Sequence, residues 1–338
     1  MARQAIVEKL VELNRKDPAI RNAIEGSLKN ANEPGIQSIE EFYDFLDRIA
    51  THIPTAQELM PSVRKFYFVL SKGNNDVIRS HKELNAWIQE FVVHRGDYLN
   101  TPESIKSLDT FINNPEYNMD DYIKVQGAWL SFNQFLARQM KPGRRPIEGR
   151  CDDSVIVSPT DSEFKGQHKI TQHSSITAKG VTYSIEQLLE GSAYKDCFSN
   201  GIFCHCFLSI TDYHRYHMPV SGAILETRII PATTWINEER KEDGTIENID
   251  DVGFQFTHTR GYIIIDSPVG LVAVMPVGMG HISSVVINAE AGSSLAKGDE
   301  FGWFAFGGSD IIMLFEKRVE LDTEIGKHYR QGQAIGRG

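Results

Sequence analysis

The hydrophobic period of this chain changes once, and that change limits what it can fold into. Up to about residue 140, apolar side chains recur every three or four residues, as in Ile6, Leu10 and Leu13, in Val63, Phe66, Tyr67 and Leu70, and in Leu84, Trp87, Ile88 and Phe91. That spacing lines one face of an α-helix. Ser38 and Glu41, ahead of Phe42, Phe45, Leu46 and Ile49, have the spacing of a capping box. Breaks are expected at Pro34-Gly35, Pro54, Gly73-Asn74-Asn75, Gly96 and Pro115. From Val155 the pattern becomes short apolar runs at 155–157, 201–210, 223–230, 261–266, 271–277, 282–289 and 311–316, with glycines and prolines between them. Such runs predict a mostly antiparallel sheet, interrupted by one helix at about 184–189. The expected class is therefore α+β, a helical N-terminal domain over 1–130 followed by a β-rich domain over 131–338.

Composition narrows the partners more than the fold. The 338 residues are 41% hydrophobic and 24% charged, ordinary for a globular protein that buries a full core. A net charge of -10 argues against nucleic acid or an anionic membrane as the partner. Charges interrupt the first apolar run, unlike a secretory signal, and the runs at 262–265 and 270–280 are too short to span a bilayer. A cytoplasmic protein with no integral membrane segment is expected. Four cysteines make no disulfide framework in a chain this long. Cys204-His205-Cys206 invites a metal reading, but strand alternation puts both cysteines on one face and His205 on the other, so no metal is expected. His52, His81 and His94 are expected to fill surface or core. The basic run Lys141-Pro142-Gly143-Arg144-Arg145-Pro146 reads as a solvated turn.

Chemistry concentrates in three stretches. Phe304 to Asp310 reads Phe-Ala-Phe-Gly-Gly-Ser-Asp. Glycine admits strained or positive-φ backbone, so this bend either forms a hairpin turn or brings the Ser309 hydroxyl against the Gly308 carbonyl. His214 and His217 stand three apart before Met218-Pro219. In a helix that spacing suits two metal ligands, but the proline and the preceding strand-like run point to a strand end or turn. Asp161 lies in the turn-like Ser158-Pro159-Thr160-Asp161. Asp161, His217 and Ser309 together supply the orienter, base and nucleophile of triad chemistry. The serine lacks the second glycine of a hydrolase elbow, so an internal target is expected, the peptide bond between Gly308 and Ser309.

These stretches resemble the phosphatidylserine decarboxylase family of pyruvoyl enzymes. The likeness runs in order through 131–135 with Arg138, 141–147, 159–161, 178–185, Leu188-Leu189, Asp212 to Pro219, Val277-Gly278 and 297–304 into the Gly-Gly-Ser motif. The helical extension and the Gly-Gly-Ser spelling resemble the soluble branch containing fungal L-tryptophan decarboxylase. The resemblance implies that His217, oriented by Asp161, deprotonates Ser309, whose oxygen attacks the Gly308 carbonyl. Elimination and hydrolysis then leave a pyruvoyl group at position 309, and chains of 1–308 and 309–338. It further implies that this covalent cofactor forms a Schiff base with a substrate amine, without pyridoxal phosphate or metal. His214 would protonate the substrate carbon after carbon dioxide leaves. Tyr213, Gly278, Met279 and His281 would contact the substrate, and processed two-chain protomers would pair as a homodimer. Asp310 departs from the Thr or Ser of the family and is expected to set a negative charge beside the nascent oxyanion. Met279, His281 and Ser283 replace Ala, an aliphatic residue and Gly. With the acidic charge, these changes make a free L-amino acid such as tryptophan the expected substrate. The alternatives are phosphatidylserine, giving phosphatidylethanolamine, and an unprocessed, catalytically inactive binding homologue.

Overall fold

The computed structural model describes residues 3–73, 75–178, 181–232, 235, 238–248, 253–278, 284–305 and 310–338. Helices span Ala5–Lys16, Pro18–Ala31, Ile39–Ala50, Ala56–Leu70, Asn75–Ser80 and Lys82–Leu99. Their ends follow local chemistry. Asp17 caps the second by accepting from the Ala19 and Ile20 amides, with Pro18 in the first turn, where no amide is needed. Ser38 and Glu41 form the expected capping box. Most of the apolar stripes meet in one core, where Phe66 stacks on Phe91 at 6.0 Å and meets Tyr67 edge-on at 4.9 Å, while Val63 joins a second core with Leu59 and Leu99. Gly96 does not break the last helix as expected, because the helix continues to Leu99. A glycine costs about 1 kcal/mol in a helix interior. Burying a leucine gains roughly 1.5–3 kcal/mol, and Leu99 is fully buried.

After the short helix Phe132–Leu136 the chain turns to strands, and the architecture is α+β. The central sheet is antiparallel throughout. Its order is Ser294–Leu295, Gly222–Ile230, Arg260–Ser267, Gly270–Val277, Asp310–Phe315, Ile202–Phe207, Ser162–Lys169 and His328–Tyr329. Two smaller sheets join Val155–Val157 with Ala334–Arg337 and Glu320–Leu321, and Val285–Ile287 with Glu300–Phe304 and Arg215–His217. Both pack over one face of the large sheet, where Ile311, Met313, Cys204 and Cys206 meet Tyr216, Phe301 and Phe304. On the opposite face, Phe203, Ile312 and Leu314 lie under the helix Ile185–Leu188 and the 3-10 turn Phe254–Phe256. The two cysteines share a face, as alternation requires.

The hairpin Glu238–Arg240 with Ile246–Asn248 reaches back to the helices. Arg240 pairs with buried Glu33, which also meets Lys65 at 2.7 Å, and Arg64 donates to the Ile246 carbonyl at 2.9 Å. Among the described residues no helix is long and apolar enough to cross a membrane. Ser38→Ala removes one half of the capping box and is expected to cost about 1 kcal/mol. Urea unfolding checks this, and an unchanged midpoint would show that the box does not hold the helix end.

Candidate active site

Those expected site residues that are described converge at one end of the central sheet. Asp310 opens its strand and pairs with Phe207 on one side and Val277 on the other, while Phe207 also pairs with Glu163, two residues beyond Asp161. The strand ends thus bring Asp161, the 208–214 loop, Gly278 and residue 310 to a common edge. The Gly278 amide donates to the Thr259 carbonyl at 2.9 Å, anchoring the outgoing chain. In the neighbouring small sheet the Phe304 amide donates to the His214 carbonyl at 2.9 Å, and the Tyr216 hydroxyl to the Trp303 carbonyl at 2.8 Å. The chain approaching position 309 from its N-terminal side is therefore tied to the segment carrying both histidines. Gly308, Ser309, Met279 and His281 lie outside the described residues.

His217 ends the strand Arg215–His217. Its Nδ1 lies 2.9 Å from the Gly298 carbonyl oxygen. A carbonyl only accepts, so Nδ1 carries the proton and Nε2 the lone pair. The Tyr213 hydroxyl donates to Nε2 at 3.3 Å. Burial pushes the His217 pKa down to about 4, against the Gly298 bond that raises it. The ring is neutral at physiological pH and able to take a proton. Gly298 is itself held in place. It has φ +87°, its amide donates to the Met218 carbonyl at 2.9 Å, and a Cβ there would strike Ile147. Buried Lys297 beside it donates Nζ to the carbonyls of Gly149, Asp152 and Val155 at 2.7–2.8 Å.

Asp161 does not orient His217 by a hydrogen bond, contrary to expectation. Its carboxylate is taken by Arg145, whose Nε lies 2.8 and 3.1 Å from the two oxygens, and by the Gln331 amide at 2.8 Å. A guanidinium fork matches a carboxylate better than one imidazole N–H does, and the imidazole N–H of His217 is already engaged by Gly298. Asp161 acts on His217 through its field, which raises the pKa of that ring. The basic run is accordingly no solvated turn at Arg145. That side chain is 9% exposed and also reaches Asp121 at 3.3 Å.

His214 is 2% exposed and donates Nδ1–H to the Asp212 carbonyl at 2.9 Å, which leaves the lone pair on Nε2. Burial first, and the charge of Arg138 second, push its pKa down to about 4. Residue-level reading gave Arg138 no role; only the family resemblance marked it. Here it shapes the loop, since its buried guanidinium donates to the carbonyls of Thr211 at 2.9 Å and Asp212 at 3.2 Å while stacking 4.1 Å from the Tyr122 ring. The Asp212 carboxylate accepts from the Ser209 amide at 2.7 Å and from His328 Nε2 at 2.9 Å.

The Asp310 carboxylate is a buried charge rather than an open one. Its register sends it to the Ile312 and Leu314 face, where it is 1% exposed and its Oδ2 accepts from Gln255 Nε2 at 2.9 Å and lies 3.2 Å from His205 Nε2. Gln255 and His205 were not among the expected site residues. Among the described residues no group of three His, Cys, Asp or Glu side chains is placed to hold a metal ion.

A family model described as phosphatidylserine decarboxylase matches residues 132–337, more than half of the chain. The chain is 32% identical over 236 residues to phosphatidylserine decarboxylase proenzyme 2 of Oryza sativa subsp. japonica, covering 68% of this chain and 37% of that protein. It is 27% identical to the phosphatidylserine decarboxylase proenzyme of Fusobacterium nucleatum, over 84% of this chain and 91% of the relative. The proenzyme of Clostridium tetani is 30% identical over 68% of this chain and 75% of its own length. The chain spans little more than a third of the rice relative. These relatives favour the lipid alternative, and the expected free amino acid and tryptophan branch gain no support from them.

The two low histidine pKa values carry a pH dependence. The unfolded chain takes up these protons first, near pH 6.5, so stability present above about pH 6.5 is lost as the pH falls toward about 4. Histidine proton NMR is expected to show both rings titrating near 4. Midpoints near the ordinary value of about 6.5 would contradict the burial described.

Proposed function

The chain belongs to the phosphatidylserine decarboxylase family, and we propose that it processes itself and then decarboxylates phosphatidylserine to phosphatidylethanolamine. One observation carries this reading. His217 is a neutral imidazole whose Nδ1 proton is committed to Gly298, so its only basic nitrogen is the one presented to Tyr213. In processing, Nε2 takes the Ser309 hydroxyl proton as the oxygen attacks the Gly308 carbonyl. The peptide C–N bond breaks as an ester forms, and the proton passes to the departing nitrogen of residue 309. Scission leaves the fold intact, because strand Asp310–Phe315 stays paired on both sides to the larger chain.

The residues present fit a self-made carbonyl cofactor at position 309, since the neutral base His217 and the buried carboxylate of Asp310, one of whose oxygens has no partner among the described residues, belong to the segments that adjoin that position or are tied to the chain leading to it. Once formed, the pyruvoyl group supplies a carbonyl that binds an amine and accepts the electrons freed with carbon dioxide. His214 rests neutral. An anionic substrate carboxylate near Nε2 favours its protonated form, which loads the proton that His214 returns to carbon.

Two variants separate the roles. His217→Ala is expected to remain one uncleaved chain on a denaturing gel. His214→Ala is expected to cleave yet release carbon dioxide from phosphatidylserine vesicles roughly 10²- to 10⁴-fold more slowly than the unmodified protein. Equal cleavage and equal turnover in both would overturn the assignment, and turnover of free tryptophan with none of phosphatidylserine would overturn the substrate.

A further inference from the structure

We propose that Asp310, held by His205 and Gln255, is the base for the elimination stage of self-processing and works from the face of the central sheet opposite His217. This rests on the self-processing reading above. The cluster is built on the face of the central sheet that carries Ile312, Leu314, Phe203 and Met275, an apolar setting that gives no structural reason for a carboxylate. Gln255 accepts the Gly253 amide through Oε1 at 2.8 Å, so its Nε2 faces Asp310 Oδ2 at 2.9 Å and His205 Nε2 at 3.1 Å. That arrangement occupies one carboxylate oxygen. Asp310 Oδ1 and His205 Nδ1 are buried without a hydrogen-bond partner among the described residues. Leaving a buried polar atom unpaired costs about 1–3 kcal/mol, and this cluster holds two such atoms on neighbouring side chains.

Covalent geometry fixes its distance from the reaction. The Cα of residue 309 is one peptide unit, about 3.8 Å, from that of Asp310. His217 belongs to the small sheet over the Ile311 and Met313 face, whereas the Asp310 carboxylate lies on the other face. The chemistry calls for bases on two sides. In the first stage the base must stand beside the serine oxygen. In the second, the Cα–H and Cβ–O bonds of residue 309 break, and an anti elimination places the proton acceptor across the Cα–Cβ bond from the departing oxygen. Asp310 Oδ1 takes the Cα proton, the C–H electron pair becomes the Cα=Cβ bond, and the Gly308 carboxylate leaves with the Cβ–O pair. The resulting enamine shifts to its imine, and water releases ammonia to leave the ketone.

The test uses the full chain, intact mass spectrometry over time, and hydroxylamine, which cleaves esters but spares peptide bonds. Asp310→Asn is expected to accumulate an ester. Hydroxylamine would split this species into residues 1–308 and a small chain that begins with an unaltered serine, while the pyruvoyl-terminated chain forms roughly 10²-fold or more slowly. Labelling with α-deuterated serine should slow that conversion further in the variant, which places the block at Cα–H cleavage. His205→Gln leaves the carboxylate in place and should accumulate the same ester. Absence of the ester from both variants, or pyruvoyl formation at the unmodified rate in Asp310→Asn, overturns the proposal. An unmodified chain that never splits would instead overturn the self-processing reading.

Discussion

The register of strand Asp310–Phe315 between Ile202–Phe207 and Gly270–Val277 decides which face of the central sheet each of its side chains enters. Side chains alternate across a strand, so a slip of one residue would exchange every contact between faces. In the observed register Ile311, Met313 and Phe315 enter the core beneath the small sheets, and Asp310, Ile312 and Leu314 enter the opposite core. The small sheet brings His214 and His217 to one face of the central sheet, while Gln255 and His205 meet Asp310 on the other. This strand is paired on both edges to the segment before position 309, and His328–Tyr329 and Ala334–Arg337 pair with that segment as well.

Charge is handled differently in bases and acids here. Burial keeps His214 and His217 neutral, and in each ring a main-chain carbonyl fixes the proton on Nδ1. Asp161 is ion-paired with Arg145 instead. Buried Lys297 and Arg138 act as clamps on main-chain carbonyls, and through Gly298 and the 211–212 loop they set where the histidines stand. Each carbonyl left without its donor would cost about 1–3 kcal/mol, enough to shift a loop by altering which conformation is favoured.

Much of the fold was legible because its signals are local. The change of period separates helices from strands, Ser38 and Glu41 mark a helix start, and alternation places His205 away from its cysteine neighbours. The strands Ser162–Lys169 and Glu300–Phe304 are absent from the apolar-run reading because they mix polar and apolar residues. Site partners were hidden by distance along the chain. Gly298 is 81 residues from His217, and Gln255 is 55 from Asp310. Arg145 looked solvated because its neighbours are basic, yet it is Asp161 and Asp121 that bury it. Net charge is a weak guide to the substrate, since a summed charge of -10 describes the long-range field and not the surface around one pocket.

Scission before position 309 is the event on which the chemistry depends, and intact-mass spectrometry of freshly purified protein tests it most directly. Two chains, residues 1–308 and 309–338, with a hydrazide-reactive carbonyl on the smaller, are the expected result. A folded, unbroken chain of 338 residues that takes up no carbonyl reagent would contradict it.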